Sequence, residues 1–303
     1  MFKIRHWSRL SYAVVLVVSC SGVSDSSIDE HAALLKAKLR EGLVAEYLFE
    51  KVQRNPNGHV VVGDTSGNGF DALSVMSNGQ YASYPDDLLP VDLDRGGGVH
   101  ALAAQFDSTE RQFVHIPYDA AFDFENGYTL MAWIKHRPDV TPLRAGQDRA
   151  EVMERGGAYW INIRQFQPPA QPVPPVLRVG GFFHPCDVAL PANTPGGRWH
   201  FIDSITQIRD DEWTHVASIY DGVTLRVYIN GVLDAQKTIG QKVCVGWHNP
   251  LTLGAKYNPL TPPPGVVTND AFLNGAIDEV RVYNRPLSED ELLTLMSTPP
   301  MND

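Results

Sequence analysis

Positive charge is scarce in this sequence, which excludes one large class of partner. The chain has 25 Lys and Arg residues against 35 Asp and Glu residues, a formal net charge of −10. Because the cations are scattered and form no basic stripe, we do not expect nucleic acid as a partner. The excess of carboxylates favours divalent cations and neutral glycans instead.

Known catalytic motifs are also missing. The sequence contains no His-Glu-x-x-His, Gly-x-Ser-x-Gly, Walker loop or paired Cys-x-x-Cys. It also has no Glu-x-Asp, a spacing that places two carboxylates on one face of a strand, and glycoside hydrolysis needs two carboxylates beside the scissile bond. Glu151 and Glu154 are three apart, and Asp123 and Glu125 share strand-like parity, but we interpret both pairs as solvated loop carboxylates. We therefore expect a protein that is not an enzyme.

The N-terminus lacks an apolar run of membrane-spanning length. Three basic residues precede Ala13 to Val18, a run too short to cross a bilayer, and Ser19 and Cys20 follow it. This order resembles a bacterial lipobox, whose cysteine receives a lipid before signal cleavage. We predict a lipoprotein signal peptide at residues 1–19 and lipidation of Cys20. The exported protein would contact the bacterial membrane only through that lipid, with simple secretion as the alternative.

Cysteine is nearly absent, with three in the whole chain. If Cys20 carries lipid, Cys186 and Cys244 remain, and an even pair in an oxidising compartment predicts one disulfide. Closing a loop of this length would stabilise the fold by roughly 4 kcal/mol in the chain-entropy model. Two buried free thiols are the alternative.

What the sequence has in abundance is short alternating segments rich in β-branched and aromatic residues. Asn230-Gly231 between two of them favours a type I′ hairpin turn. Many short strands and almost no helix predict an all-β, two-sheet antiparallel sandwich. The predicted strands lie at residues 43–50, 128–135, 159–163, 213–220, 225–229, 251–253 and 276–283.

Capping patterns predict a short helix at each end of the sandwich. Ser27-x-x-Glu30 indicates an N-terminal helix that ends near Gly42, within a tether at residues 20–41. Ser288-x-x-Glu291 predicts a C-terminal helix over 289–296, before a tail at 298–303.

Two stretches rich in proline interrupt the strand pattern. They lie at residues 165–175 and 258–268. Proline is excluded from central strands, so both are predicted to be loops.

Four groups of segments follow one another in an order that is more specific than any one of them. They lie at residues 42–49 leading to 64–71, at 128–134, at 212–217 with 225–232, and at 275–288. Their order and spacing resemble the laminin G-like domains of the concanavalin A-like lectin and glucanase superfamily. The similarity covers residues 42–297. It implies a jelly roll of two antiparallel sheets, often with one structural Ca²⁺, whose members bind glycans or extracellular proteins.

The segment Asp64-Thr-Ser-Gly-Asn-Gly-Phe-Asp71 looks like the first half of an EF-hand loop. Val75 stands where such a loop needs a bidentate glutamate, so a cation would require a further carboxylate. Asp278 is the expected donor, because the resemblance implies that the first and last strands are neighbours. We predict a structural Ca²⁺ bound by Asp64, Asn68, Asp71 and Asp278.

Strand alternation would place Asp278 on the same face as Ala276, Val280 and Val282. A carboxylate among apolar neighbours is costly unless it is paired, hydrogen-bonded or bound to metal. The alternative to calcium is an ordinary Asn/Gly turn, with Asp278 accepting backbone hydrogen bonds.

Ligand contact is predicted for aromatic and amide side chains on loops and strand ends, where a ring stacks on a sugar and an amide binds its hydroxyls. The candidates are Trp199, Trp247, His248, Asn249 and Tyr257. Aromatic residues at strand ends also commonly cap a hydrophobic core.

Three functions therefore stay open. We expect a surface-tethered module that binds carbohydrate. The alternatives are a protein-interaction, adhesion or structural module, and a glycan-active hydrolase or lyase.

Overall fold

The computed structural model describes residues 25–49, 52–56, 60–76, 93–94, 100–101, 103–138, 149–166, 173–183, 199–257 and 271–297. The chain divides into two units, residues 1–39 and 40–303.

Helix α1 (Asp25–Arg40) accounts for the described part of the first unit and confirms the predicted N-terminal helix. It begins ahead of Ser27, so that serine is not its N-cap. Among the described residues no helix is long and apolar enough to span a membrane. Residues 1–19 and Cys20 lie outside the described residues, so the signal peptide and the lipid stay predictions.

Strands make up most of the second unit. A 3₁₀ turn at Ala120–Phe122 and helix α2 (Glu289–Ser297) accompany them. The strands are β1 (Leu43–Tyr47), β2 (Val52–Arg54), β3 (Val60–Val62), β4 (Ala72–Met76), β5 (Leu93–Asp94), β6 (His100–Ala101), β7 (Ala104–Phe106), β8 (Gln112–Ile116), β9 (Tyr128–His136), β10 (Arg149–Arg155), β11 (Tyr159–Phe166), β12 (Val173–Phe182), β13 (Trp199–Gln207), β14 (Trp213–Tyr220), β15 (Thr224–Ile229), β16 (Val232–Thr238), β17 (Leu251–Leu253) and β18 (Gly275–Tyr283).

These strands form two large antiparallel sheets. The seven-stranded sheet has the order β1-β18-β9-β14-β15-β16, with β7 also paired to β18. The nine-stranded sheet has the order β13-β12-β11-β10-β17-β8-β4-β3-β2, and β5 and β6 pair separately. β1 lies beside β18, with Tyr47 opposite Val280. The predicted antiparallel sandwich and the adjacency of its first and last strands are confirmed.

One hydrophobic core receives alternate side chains from both sheets. On β9, for example, Tyr128, Leu130, Ala132 and Ile134 enter this core. Burying one large apolar side chain contributes roughly 1.5–3 kcal/mol, so this alternation defines which face each strand turns inward. The remaining side chains of each strand point to the outer faces, where sites can form.

Two predicted local motifs are present as expected. Asn230 and Gly231 both have positive φ, 50° and 77°, as a type I′ turn between β15 and β16 requires. At the start of α2 the Ser288 N–H donates to Glu291 Oε2 (2.9 Å), and the Glu291 N–H donates to Ser288 Oγ (3.3 Å). This is the reciprocal capping box.

The described residues of the first proline-rich stretch, 165–175, lie in strands and not in a loop. β12 begins at Val173, so Pro174 and Pro175 lie within a strand and that part of the prediction is wrong. The pairing of β11 with β12 is irregular here, and such an interruption tolerates a residue without an N–H. The second stretch, 258–268, lies outside the described residues.

Candidate functional site

The turn predicted to bind calcium, residues 64–71, uses hydrogen bonds from the protein itself. Asp64 Oδ1 accepts from the backbone N–H groups of Glu46 (3.0 Å) and Ser66 (2.9 Å). Asp64 Oδ2 accepts from the Ser66 hydroxyl (2.8 Å) and the Phe70 N–H (3.0 Å). A carboxylate offers about four acceptor positions, so those of Asp64 are all engaged.

The other two predicted ligands of the turn are engaged as well. Asn68 Nδ2 donates to the carbonyl oxygens of Leu43 (3.0 Å) and Val44 (2.9 Å). Asp71 Oδ1 accepts from the Asp64 N–H (2.9 Å). Asn68 therefore directs its nitrogen, which calcium does not bind, at the nearby carbonyl oxygens.

Asp278, the fourth predicted ligand, lies beside a β-bulge in β18. The register against β9 shifts between Asp278 and Arg281, and Glu279 has a φ of 46°. The predicted grouping of Asp278 with Val280 and Val282 is therefore wrong. The bulge reverses the alternation, so both valines enter the core while Asp278 shares the outer face with Arg281.

A partly buried ionic network surrounds this bulge. Arg281 Nε lies 2.7 Å from Glu46 Oε1, and Arg281 Nη1 lies 3.1 Å from Glu279 Oε2. The Thr65 hydroxyl donates to Glu46 Oε2 (2.8 Å). Burial alone would lower the pKa of Arg281, but Glu279 and Glu46 raise it. We call Glu46, Thr65, Glu279 and Arg281 the β18 network.

As it stands, the donor set does not fit a calcium ion. Within the described parts of the chain, no group of three or more His, Cys, Asp or Glu side chains is arranged to hold a metal. Calcium would have to displace hydrogen-bond donors from Asp64 and turn the Asn68 amide around. The turn fits the alternative, a self-satisfied Asn/Gly turn, and the calcium site stays a prediction.

A cavity of about 320 Å³ lies on the outer face of the nine-stranded sheet. β10, β11, β12 and β13 are neighbours in that sheet and direct alternate side chains into it. We call it the outer-face cavity. Its lining residues are Arg149, Glu151, Glu154, Trp160, Asn162, Arg178, Trp199, Phe201 and Lys256.

Two indoles form an aromatic wall of this cavity. Trp160 lies over β12 at Gly180, where an added Cβ would be 2.8 Å from Trp160 Cζ2. Trp199, the first residue of β13, packs against Trp160 with ring centroids 5.3 Å apart. Trp199 is 46% exposed, so part of its ring is free to contact a ligand.

Most of the charge in the cavity is compensated by neighbours. Arg178 forms a bidentate pair with Asp203 (2.5 and 2.8 Å) and lies 4.0 Å above the Phe201 ring. Burial raises the pKa of Asp203, but the interaction with Arg178 outweighs it and the pKa is lowered. Arg149 pairs with Glu151 (3.1 Å). Lys256 makes no ion pair with any described residue.

Two buried polar atoms of the cavity lack a hydrogen-bond partner among the described residues. They are Trp160 Nε1, a donor, and Asn162 Oδ1, an acceptor. An unpaired buried polar group costs about 1–3 kcal/mol. A hydroxyl group both accepts and donates, so it is the type of ligand group that these two atoms match.

Four of the five predicted ligand residues lie in this region. Trp199 lines the cavity itself, and the other three surround the β10–β11 turn, Gly156-Gly157. Asn249 Nδ2 donates to the Gly156 carbonyl (2.7 Å). A Cβ added at Gly156 would lie 3.3 Å from Tyr257, and a Cβ added at Gly157 would lie 3.0 Å from Trp247.

His248, the fifth, packs against a different partner. Its ring lies 4.7 Å from that of Tyr118, centroid to centroid. The structure therefore brings four of the five residues to the cavity and the adjoining turn, and the contact of all five with a ligand stays a prediction.

Sequence reasoning missed most of the cavity lining. Glu151 and Glu154, interpreted as solvated loop carboxylates, are buried on β10, with 2% and 6% exposure. They share a face although they are three apart, because a bulge separates Glu151 from Met153. Gly156-Gly157 between two apolar segments was the available signal, since it marks a hairpin and would have made residues 149–155 a strand.

The second carboxylate pair is only partly solvated. Glu125 is exposed, as expected, and pairs with Lys242 (3.1 Å). Asp123 instead accepts a hydrogen bond from the buried Arg155 side chain, so it anchors a core residue.

Cys244 is fully buried, and its N–H donates to the Phe182 carbonyl (2.8 Å). Cys186 lies outside the described residues, so the predicted Cys186–Cys244 disulfide stays a prediction. Phe183, three positions before Cys186 in the sequence, pairs with Val243, which favours it.

Comparison with known proteins places this fold. Domain 4 of AbnA, a GH43 extracellular arabinanase from Geobacillus stearothermophilus solved with arabinotriose, is 20% identical, with a TM-score of 0.53 over 84% of this chain and 98% of that one. The binding domain of Paraclostridial Mosquitocidal Protein 1 is 14% identical, with a TM-score of 0.53 over 85% of this chain and 52% of that one. No curated protein matches by sequence. Residues 107–293 match the Laminin_G_3 family, so the chain belongs to this family of the concanavalin A-like lectin/glucanases superfamily.

Proposed function

We propose that the domain binds carbohydrate in the outer-face cavity. The observation that carries this proposal is that one cavity holds both two indole rings and two buried polar atoms that have no hydrogen-bond partner among the described residues. Small-molecule sites combine an apolar wall with a few polar groups in volumes of about 300–1,000 Å³. The cavity, at about 320 Å³, is at the small end of that range.

The charge pattern favours a neutral sugar. Arg178 is neutralised by Asp203, and Arg149 lies against Glu151, so neither guanidinium is left to attract an anion. A sugar ring presents an apolar face to an indole and hydroxyls at its edge. Trp160 Nε1 and Asn162 Oδ1 suit those hydroxyls. The arabinanase domain solved with arabinotriose supports this choice by analogy.

We propose binding without cleavage. Glu151 and Glu154 do line the cavity, and two carboxylates are what glycoside hydrolysis needs. Release of reducing ends or unsaturated products from polysaccharides by the purified protein would therefore contradict this part of the proposal.

A second candidate is protein binding at the edge of the nine-stranded sheet. β13 is the terminal strand of that sheet in the described structure, and Trp199, Phe201 and Ile205 are exposed along it. An edge strand can pair with an extended segment of a partner protein. On β13 the N–H groups of Ile205 and Thr206 already donate to Asp234, so pairing would use the part of the strand before them. Retention of a protein partner that is lost on replacing Ile205, with no binding to glycans, would favour this candidate.

The cellular context remains as the sequence predicts it. We propose an exported protein that is tethered to the membrane by lipid on Cys20. A structural Ca²⁺ at the 64–71 turn is proposed with it, on the condition that the ion displaces the hydrogen-bond donors of Asp64. Mass spectrometry of the N-terminal peptide after expression in a bacterium tests the tether. An unmodified or uncleaved Cys20 would contradict it.

Replacing Trp199 with alanine tests the binding site directly. We expect the wild-type protein to be retarded by at least one of arabinan, xylan and β-glucan in affinity electrophoresis. Trp199→Ala should weaken that binding at least about tenfold, since central aromatic anchors dominate binding energy. Ile205→Ala is the matched control, because Ile205 is exposed on the same strand and does not line the cavity. Absence of wild-type binding to all three polysaccharides would refute the proposal.

A further inference from the structure

An aromatic surface continues from the outer-face cavity toward the β10–β11 turn. Phe182 is buried between two exposed indoles, with ring centroids 5.2 Å from Trp199 and 6.3 Å from Trp247. Trp247 is 53% exposed. The indole that lines the cavity and a second one outside it thus rest on the same buried ring.

Trp247 is held in place although half of it is exposed. Gly157 has a φ of 83°, and an added Cβ there would lie 3.0 Å from Trp247 Cδ1, so the indole packs directly on the turn backbone. Two positions along the chain, Asn249 donates to the Gly156 carbonyl and fixes the segment that carries the tryptophan. The exposed ring therefore needs little ordering when a ligand arrives, which favours affinity.

Aromatic side chains extend beyond Trp247. His248, the next residue, packs against Tyr118 with the two rings tilted by 36°, and the Tyr118 hydroxyl donates to Asp123 (3.1 Å). Arg155 lies 5.4 Å from the Tyr118 ring centre, and its charge is paired with Asp123. This end of the surface offers rings and a compensated charge.

We infer that Trp247 forms a second sugar subsite, so that the ligand is a linear neutral oligosaccharide running from the cavity past Phe182 to Trp247. This inference rests on the proposed carbohydrate binding. One sugar unit fills the outer-face cavity against Trp199, and a later unit of the same chain stacks on Trp247. A single sugar would occupy only the first subsite.

A chain-length series tests the inference. Binding of arabino-, xylo- and gluco-oligosaccharides of one to six units is measured by calorimetry for the wild type, Trp247→Ala and Ile205→Ala. For the series that binds, wild-type affinity should rise with length by about tenfold once the chain reaches Trp247. Trp247→Ala should bind the shortest ligands as the wild type does and lose the gain with length. Ile205→Ala should behave as the wild type.

The two proposals fail in different ways. If no oligosaccharide binds the wild type, carbohydrate binding is wrong and the second subsite is wrong with it. If the shortest ligands bind but affinity is independent of length, or Trp247→Ala keeps the full gain with length, only the second subsite is wrong. Circular dichroism of each variant confirms that the sandwich is intact.

Discussion

The β18 network and the outer-face cavity both place charged side chains on the outer face of a sheet. In the network, Arg281 bridges Glu46 and Glu279, and the adjoining Asp64 carboxylate has all its acceptor positions engaged. In the cavity, Trp160 Nε1 and Asn162 Oδ1 have no partner among the described residues. The first arrangement is satisfied by described residues, whereas the second leaves two polar atoms for the ligand that we propose. Polar groups that stabilise the fold and polar groups that face a ligand are distinguished by their partners.

Removing the cation of the network should have the largest effect. Arg281→Met removes the guanidinium that pairs with the half-buried Glu46 and the buried Glu279, which should destabilise the fold by about 3–5 kcal/mol. Urea unfolding followed by circular dichroism measures the loss. Arg226→Met is the matched control, because its pair with Asp221 (2.7 Å) is partly exposed and contributes at most about 1 kcal/mol. Equal losses in the two variants would show that the network does not stabilise the fold as described.

Replacing Gly157, the glycine that packs against Trp247, should have the next largest effect on stability. Gly157→Ala places a Cβ at positive φ, which costs about 1–2 kcal/mol, and pushes it against Trp247. Gly240→Ala carries similar strain, with a φ of 68°, but its Cβ would meet no atom within 4 Å. Both variants should lose similar stability, while only Gly157→Ala should weaken binding of the longer oligosaccharides. If both bind long chains equally well, Trp247 does not contribute to the site.

Local sequence patterns predicted the elements better than the sites. The bounds of β14 match the predicted 213–220, because its turn residues and period-two alternation are both local signals. The bulge at Glu279 has no such signal, and one extra residue is enough to move Asp278 to the other face. Residues of the cavity come from as far apart as Arg149 and Lys256, and only the strand order brings them together.

The 64–71 turn shows a second limit. Oxygen-bearing side chains at alternating positions with glycines between them serve a metal and a network of backbone N–H groups equally well. The pattern in the sequence is the same in both cases, and only the hydrogen bonds of Asp64 distinguish them. The predicted aromatic residues stay untested as ligand contacts, although Trp199 does line the cavity.

Calcium addition tests whether the 64–71 turn binds Ca²⁺ or is satisfied by hydrogen bonds within the protein. Extracellular modules bind Ca²⁺ with a Kd of about 10⁻³ M. If the turn binds with this Kd, a free Ca²⁺ concentration about ten times the Kd raises the free energy of unfolding by about 1.4 kcal/mol. Thermal melting with calcium and with chelator measures this. Asp278→Asn should abolish the response while its Oδ1 still accepts from the Glu279 N–H (2.7 Å). A wild-type midpoint that calcium and chelator leave unchanged would refute the site.

The smallest effect on stability is expected from the cation of the cavity. Lys256→Met is the same kind of change as Arg281→Met, but Lys256 makes no ion pair with a described residue, so stability should change by less than about 0.5 kcal/mol. Its ammonium lines the cavity and can donate to a sugar hydroxyl, and losing one hydrogen bond of about 1 kcal/mol weakens binding about fivefold. Unfolding and calorimetry on the same protein preparation separate the two quantities. The opposite result would be a Lys256→Met protein that is clearly less stable but binds sugar normally. It would contradict the comparison, because the cavity would then stabilise the fold as the β18 network does.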